Sequence, residues 1–156
     1  MGSVIPLKKT VNSSYLELKN LVDHKLIKVE EVIQKRLVSK VNLIKKMTDH
    51  HLRSGGKRIR ALLTLGSSKL LGYELGNRDI NLSACVELIH AATLLHDDVI
   101  DDANIRRSWP SVNKIWYNKV AILIGDYMFS KSLKNISKLD DLESIKLLSN
   151  ISHRLS

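Results

Sequence analysis

The sequence predicts an all-α fold, an antiparallel helical bundle. Apolar residues recur at three- and four-residue intervals through most of the chain, as in the series from Val11 to Ile33, and this is the period of an amphipathic helix. No stretch of useful length alternates apolar and polar residues as a half-buried strand does, and no internal repeat is present. Short glycine-containing breaks separate the helical stretches, as in bundles of antiparallel helices.

The first predicted helix starts near Val11, because Ser14 and Glu17 form a capping-box pattern. Residues 1–10 are expected to be a loose arm ahead of one helical domain, 11–156. Gly55-Gly56 is expected to end the second helix and Gly72 the third. The later helices are predicted at about 37–53, 57–71, 80–102, 119–137 and from 141 onward. The apolar residues expected to face inward in the third helix are Ile59, Leu62, Leu63 and Leu70.

The length and composition are those of one globular domain. A chain of 156 residues with 44% hydrophobic residues is large enough to bury a core. Cys85 is the single cysteine and lies in an apolar stretch, which is typical of a core thiol in a reducing compartment. No signal-peptide pattern is visible, and no run approaches the ~18 apolar residues of a membrane span. We therefore expect a cytoplasmic protein without a transmembrane segment.

The net charge of +9 is concentrated before Ala61. Residues 1–60 hold 14 Lys and Arg against 5 Asp and Glu, whereas residues 61–156 hold 11 of each. Such an excess of positive charge can attract nucleic acid, anionic lipid or an anionic substrate. A nucleic-acid binder is the weakest of these hypotheses, because there is no helix-turn-helix pattern and the acidic residues 97–102 would repel phosphate. We expect no nucleic-acid partner.

An acidic cluster lies at the end of the apolar helix predicted over about 80–102. In the run His96-Asp97-Asp98-Val99-Ile100-Asp101-Asp102, Asp97 and Asp101 are four residues apart and share one helix face, about 6 Å apart along the axis. Two carboxylates at that separation repel each other unless a cation lies between them. Mg²⁺ suits such a pair, because it prefers oxygen ligands and keeps positions open for substrate phosphates.

Basic groups accompany this cluster on both sides in the sequence. The run Gly55-Gly56-Lys57-Arg58-Ile59-Arg60 precedes it, and the pair Arg106-Arg107 follows it. Guanidinium groups bind phosphates bidentately, so carboxylates for a metal and arginines for phosphate together indicate a diphosphate substrate. His90 and Thr93 continue the stripe of Asp97 and Asp101 at helical spacing. No role is predicted for His24, His50, His51 or His153, and His96 is expected to hydrogen-bond and orient its neighbours.

Four motifs in register resemble the trans-polyprenyl diphosphate synthase family, and specifically its long-chain, octaprenyl diphosphate synthase-like members. The motifs are Gly55–Arg60, Glu87–Asp101, Arg106-Arg107 and Ile124-Gly125-Asp126-Tyr127. The resemblance implies the isoprenoid synthase bundle, here incomplete because the family's second aspartate-rich motif is not in these 156 residues. The chain is therefore expected to be an N-terminal half that forms a homodimer or associates with the missing C-terminal half.

The resemblance also implies the reaction and the residues that carry it. An allylic diphosphate such as farnesyl diphosphate is condensed with isopentenyl diphosphate to give a long-chain polyprenyl diphosphate, with Mg²⁺ as cofactor. Small residues at the chain-length pocket, Ala92 and Thr93, imply a long product. The implied catalytic residues are Asp97, Asp98 and Asp101, of which Asp97 and Asp101 hold the metal. Arg106 is implied to contact the allylic diphosphate, and the implied isopentenyl diphosphate ligands are Lys57, Arg60, His90 and Arg107.

Departures from the family pattern leave alternatives open. Ala61 stands where a proline is usual, and Ser108-Trp109 stand where Gly-Lys is usual, so the arginine pair lacks the glycine and lysine that usually follow it. One alternative is a non-catalytic helical subunit that binds a partner synthase. A terpene cyclase also uses a similar metal site but does not need Lys57, Arg60 and Arg107 for a second diphosphate.

Overall fold

The fold is described by a computed structural model that covers residues 7–53 and 55–155. These residues form seven α-helices and one two-stranded hairpin, and the predicted all-α class is confirmed. The helices are α1 (Leu7–Arg36), α2 (Asn42–Arg53), α3 (Ile59–Leu70), α4 (Arg78–Ile100), α5 (Val112–Trp116), α6 (Asn118–Ile136) and α7 (Leu142–Leu155). The hairpin pairs β1 (Ile105–Arg106) with β2 (Trp109–Pro110) in antiparallel register.

Helix α4 is the centre of the bundle and packs against α1, α3 and α6. Its buried residues are mostly small or aliphatic, with Ala84, Ala91 and Ala92 lying beside the fully buried Leu88 and Leu95. Small side chains let the neighbouring helices approach closely, and each buried leucine stabilises the fold by roughly 1.5–3 kcal/mol. The C-terminal end of α4 carries Asp97, Asp98 and Asp101, so the best-packed helix of the bundle positions the acidic cluster.

The predicted loose arm over residues 1–10 is only partly testable, since residues 1–6 lie outside the described part of the chain. Residues 7–10 are the first turn of α1, which corrects the prediction for that stretch. Leucine and lysine are good helix formers, and the helix continues through the predicted cap. Ser14 and Glu17 consequently lie on the exposed surface inside α1 and do not mark its start.

The predicted inward face of α3 was only partly correct. Leu62 is buried, but Ile59, Leu63 and Leu70 are exposed. Ala61 and Leu65 face the core with Leu62. The backbone N–H of Ala61 donates to Glu87 of α4 at 3.1 Å, which ties the start of α3 to α4, and the sequence pattern of apolar residues on both faces did not contain this contact.

The predicted connector 103–110 contains the hairpin, and the helix α5 that follows it was not predicted. Ser111 ties the base of the hairpin, because its N–H donates to Asn104 O at 3.0 Å and its hydroxyl donates to Ala103 O at 2.6 Å. A two-residue ladder is too short to show alternation, and a five-residue helix is too short to show a period. None of the described helices is long and apolar enough to cross a membrane.

Candidate active site

Asp97 and Asp101 project from the last turn of α4 and are both exposed. The helix is continuous between them, since Asp101 N–H donates to Asp97 O at 2.8 Å. Residues four apart on a continuous helix share a face, as predicted for this pair. Among residues 7–53 and 55–155, no group of three or more His, Cys, Asp or Glu side chains is placed to hold a metal ion. Any metal ion bound by this pair would therefore need further ligands from a substrate to complete its coordination.

Asp98 differs from its two acidic neighbours. Its carboxylate is buried and accepts three hydrogen bonds from Arg106: from Nε at 2.9 and 2.8 Å, and from Nη2 at 2.6 Å. The hydrogen bond with Asp98 also raises the pKa of Arg106. The resemblance implies a catalytic role for Asp98 and a diphosphate contact for Arg106. The structure instead engages these two side chains with each other, because a buried carboxylate needs a partner.

Four predicted substrate ligands line one cavity of about 100 Å³ between the end of α2, the start of α3 and α4. They are Lys57, Arg60, His90 and Arg107. They come from three segments separated by up to 50 positions in the chain. The motifs gave only the order of these residues in the sequence, and the fold brings their side chains to one cavity. Three of the four are permanent cations at neutral pH, and a cavity with such a lining attracts a multiply charged anion.

Glycines form one wall of this cavity. Gly55 has φ +78°, a conformation that only glycine adopts without strain. Gly56 has a different requirement: a Cβ built on it would lie 2.5 Å from Nη1 of Arg107. The guanidinium of Arg107 therefore rests directly on the backbone of residue 56, and this contact explains the second glycine of the pair.

Glu87 and Arg58 complete the wall between α3 and α4, and no role was predicted for either. Glu87 is buried, accepts the Ala61 N–H and lies 3.5 Å from Arg58 Nη1. Arg58 also bonds Glu30 of α1 through Nε and Nη2. The signal in the sequence was an acid inside an apolar helical stretch, because a buried carboxylate requires a partner. This network holds the start of α3, and with it Lys57 and Arg60, against α4.

Two histidines beside the cavity are held neutral. Burial, assisted by the charge of Arg106, lowers the pKa of His51 to about 4. Burial, and then the charge of Arg60, also lowers the pKa of His90. A neutral imidazole can donate one hydrogen bond and accept another. The positive charge of the cavity therefore comes from its lysine and arginines, while His90 offers a directional polar contact.

A larger, open and mostly apolar depression of about 770 Å³ extends from Asp97 between α4, α6 and α7. Ala92 and Thr93, the residues predicted to limit chain length, line it, and Thr93 directs its hydroxyl to His90 O at 2.9 Å. Phe129 of α6 lines the same depression and was not predicted. It is the one phenylalanine of the chain, and only the fold places it opposite Ala92.

Asp126 is a further acid in this depression, paired with His96. His96 Nε2 lies 3.2 Å from Ile122 O and 3.5 Å from Asp126 Oδ1. A Cβ on Gly125 would collide with the imidazole at 2.2 Å, so glycine at 125 makes room for it. The expectation that His96 hydrogen-bonds its neighbours is confirmed. The motif 124–127 thus joins α6 to the acidic end of α4.

Comparison with known proteins decides the family. The family model for polyprenyl synthetases matches residues 41–156, a range that contains the cationic cavity, the acidic cluster and the depression. This chain belongs to the polyprenyl synthetase family. The resemblance stated from the four motifs is thereby confirmed.

Individual members of the family support the assignment. A prenyl transferase of Synechocystis is 44% identical over 105 residues, 66% of this chain and 32% of that protein. An octaprenyl diphosphate synthase of Haemophilus influenzae is 32% identical over 150 residues, 96% of this chain and 45% of that protein. A polyprenyl synthase of Caulobacter crescentus, solved with calcium and isoprenyl diphosphate, superposes with a TM-score of 0.86 at 31% identity over 89% of this chain and 42% of its own. This polyprenyl synthetase chain spans less than half the length of these two synthases and about a third of the first relative.

Proposed function

We propose that this chain is the N-terminal half, 11–156, of a prenyltransferase that condenses an allylic diphosphate with isopentenyl diphosphate to give a long-chain polyprenyl diphosphate. In that reaction the allylic C–O bond breaks, and diphosphate leaves with the electron pair. The alkene of isopentenyl diphosphate then forms the new C–C bond, and a proton is lost. The reaction needs two diphosphate sites and a dry wall beside the cationic carbon.

The observation that carries the proposal is the cavity lined by Lys57, Arg60, His90 and Arg107. It is separate from the depression beside Asp97, so two anionic head groups can be held at once at the end of α4. A terpene cyclase, which binds one diphosphate, does not require the second cationic site. The neutral imidazole of His90 would position one diphosphate oxygen by hydrogen bonding, and the cations would neutralise its charge.

The residues present fit Mg²⁺. Asp97 and Asp101 offer exposed carboxylates on one helix face, and Mg²⁺ is commonly held by one or two carboxylates and completed by water and substrate phosphates. Bound there, Mg²⁺ would supply Lewis-acid stabilisation to the departing diphosphate. Asp98 is engaged by Arg106 and is not part of this donor pair.

The apolar depression fits the growing prenyl chain. Ile89, Ala92 and Ile100 line it with uncharged side chains, and the acids Asp97 and Asp126 line it as well. A diphosphate held at Asp97 would direct its hydrocarbon tail along Ala92 and Thr93 toward Phe129. Ile100 lines this region and is exposed, and Leu147 and Ile151 are exposed on α7, so we include in the proposal that a second copy or the C-terminal half covers it. We also place the enzyme in the cytoplasm, in keeping with the buried free thiol of Cys85.

The first test is calorimetry with the two head-group components, inorganic diphosphate and Mg²⁺. We expect weak Mg²⁺ binding alone and much tighter binding once diphosphate is present, and we expect Asp97→Ala to remove the diphosphate-dependent part. Asp23→Ala, an exposed acid on α1, is the control for loss of one negative charge. Tight Mg²⁺ binding by the bare chain that survives Asp97→Ala would contradict the assignment.

The second test isolates the cationic cavity. Arg107→Gln and Lys57→Gln should each weaken diphosphate binding by roughly tenfold or more, since a charge-assisted contact contributes about 1.5–3 kcal/mol. Lys134→Gln on the exposed face of α6 removes the same charge away from the cavity and should change binding little. Equal losses in all three variants would show that net charge, and not this cavity, attracts diphosphate.

A further inference from the structure

The feature that the proposed reaction leaves unexplained is the burial of Asp98 between two exposed acids. Its side chain is 2% exposed, whereas Arg106, which it holds, is 25% exposed. Adjacent helical residues are separated by 100° around the axis, so Asp98 lies on the flank of the side shared by Asp97 and Asp101, where it pairs with Arg106. Both of its oxygens accept hydrogen bonds from Arg106. Asp98 is therefore committed to the hairpin and not to the exposed acidic face.

The backbone of Asp98 is also tied to the segment after the hairpin. Its carbonyl accepts from Asn113 Nδ2 at 3.1 Å and from Ala103 N–H at 2.9 Å. Asn113 lies in α5 and is buried. Residue 98 is thus linked to the strand before the turn through its side chain, and to the helix after the hairpin through its carbonyl. Residue 98 therefore holds the hairpin on the α4 side, while His50 Nε2 of α2 lies 2.8 Å from Pro110 O on the second strand.

The turn of the hairpin then places Arg107. Arg107 and Ser108 are the two residues between the paired strands, with φ of +50° and +67°. Both central residues have positive φ in the tight type I′ turn, so the chain reverses within two residues after Arg106. Arg106 points to Asp98, and the next guanidinium lies against Gly56 in the wall of the cationic cavity.

We propose that Asp98 is a positioning residue for the cationic cavity: it acts through Arg106 to hold the hairpin so that Arg107 reaches Gly56. This deepens the proposed function and rests on it for the identity of the bound anion. The carboxylate of Asp98 does not touch the ligand or the metal. Its effect is transmitted by the Arg106 contact and the two-residue turn.

The direction in which Asp98→Asn changes the affinity for diphosphate distinguishes a positioning role from a simple effect of charge. Asp98→Asn removes a negative charge near an anion site, and Coulomb's law alone predicts tighter diphosphate binding. Positioning predicts the opposite, roughly tenfold weaker binding, because Arg107 no longer makes its charge-assisted contact. Asp98→Glu keeps the charge but displaces Arg106, so it should also weaken binding. Asp102→Asn, an exposed acid paired with Lys114, is the matched control and should leave binding unchanged or slightly tighter.

A ligand-free measurement tests the positioning role independently of the proposed function. In ¹⁵N-labelled protein, Asp98→Asn and Arg107→Gln should shift the Gly56 amide resonance in the same direction, while Asp102→Asn should not. Thermal melts of each variant establish that it folds, and Asp98→Glu replaces Asp98→Asn if the latter does not. An unmoved Gly56 resonance, or tighter diphosphate binding in folded Asp98→Asn, overturns the positioning role. A moved resonance in a protein that binds no diphosphate supports the positioning role and rejects the proposed ligand.

Discussion

The guanidinium of Arg107 occupies the space in which residue 56 would carry a Cβ. The built Cβ lies 2.5 Å from Nη1 and 3.1 Å from Cζ of Arg107, well inside van der Waals contact. Residues 51 positions apart in sequence therefore share one small volume at the edge of the cationic cavity. The glycine pair has two distinct roles, since Gly55 provides a positive φ and Gly56 provides room for a cation.

Gly56→Ala should weaken diphosphate binding, and because residue 56 has φ +159° it should also lose some stability. The methyl group would displace the Arg107 guanidinium from the cavity, and we expect a loss of roughly tenfold in affinity. Gly72→Ala is the matched control, because Gly72 has φ +76° with no atom within 4 Å of a built Cβ. That variant should lose about 1 kcal/mol of stability through backbone strain and keep its affinity. Calorimetry and urea unfolding measure both quantities, and a Gly56→Ala protein that binds normally would refute the steric account.

Ser108→Gly should stabilise the fold. Ser108 has φ +67° in the two-residue turn, and relief of that conformation should raise the free energy of unfolding by about 0.5–1 kcal/mol. Ser67→Gly in the exposed face of α3 is the opposite case and should cost about 0.5–1 kcal/mol. Urea denaturation measures the free energy of unfolding of both variants. A destabilised Ser108→Gly protein would show that the serine side chain, and not its backbone, matters at this position.

Part of this site could be predicted from sequence because its chemistry is local. Asp97 and Asp101 share a face through helix geometry, and the motifs at 55–60 and 106–107 indicate phosphate ligands by residue type. The partnership of Asp98 with Arg106 was missed, because it depends on a hairpin with only two residues in each strand. A pattern of three aspartates within five residues does not show which one is buried.

Other misses have the same physical origin, which is packing between distant segments. Ile59, Leu63 and Leu70 were expected inside because α3 carries leucine on several faces, and the face that packs against the bundle is that of Ala61, Leu62 and Leu65. Phe129 lines the depression opposite Ala92 only because α4 and α6 are antiparallel neighbours. Helical periodicity identifies a helix but does not choose between two apolar faces.

Chain length should respond to residues on both walls of the depression. In an enzyme completed with the C-terminal half of the Haemophilus influenzae relative, Thr93→Phe and Ala92→Phe should shorten the product. Phe129→Ala should lengthen it, since it removes bulk from the opposite wall. Leu63→Phe on the exposed side of α3 is the control and should leave the product unchanged. The products are analysed by chromatography. The assignment would be contradicted if the unmutated enzyme stops at three isoprene units, or if Thr93→Phe does not change the product.

Stability should fall as the pH drops below neutrality because of His51. Its pKa is lowered from 6.5 to about 4 by burial, so the unfolded chain binds more protons than the folded chain between these values. The free energy of unfolding should be constant above about pH 7 and fall by an order of 3 kcal/mol toward pH 4. His90, whose pKa is also lowered, acts in the same direction.

His51→Gln should flatten this pH dependence, with His24→Gln, an exposed histidine on α1, as the control. Urea unfolding measured from pH 4 to pH 8 compares the slopes. A slope that is unchanged in His51→Gln would show that carboxylates, and not this imidazole, govern the acid sensitivity.

Residues 1–156 alone should show no measurable elongation activity. The described residues supply one pair of carboxylates proposed to bind metal, Asp97 and Asp101, and in the proposed reaction the departing diphosphate requires charge stabilisation from more than one side. Loss of one preorganised electrostatic contributor costs about 10²–10³ in rate. Loss of all the contributors on one side of the diphosphate should cost more. Without the other half, part of the apolar surface of α4 should be bare: Val86, Ile89 and Leu94 are partly exposed, whereas Leu95 is fully buried against the core. Ile100, Leu123, Leu147 and Ile151 add exposed apolar surface.

Apolar surface of that extent favours association, so we expect the chain to run as a dimer or larger species on a sizing column. The assay combines farnesyl diphosphate, isopentenyl diphosphate and Mg²⁺ with the purified chain. Leu123→Ser combined with Leu147→Ser should shift the column profile toward monomer, whereas Leu70→Ser combined with Leu75→Ser, on the α3 side, should not. Turnover by a well-behaved monomer would show that this half of the bundle suffices, because a single pair of carboxylates would then be enough to release diphosphate.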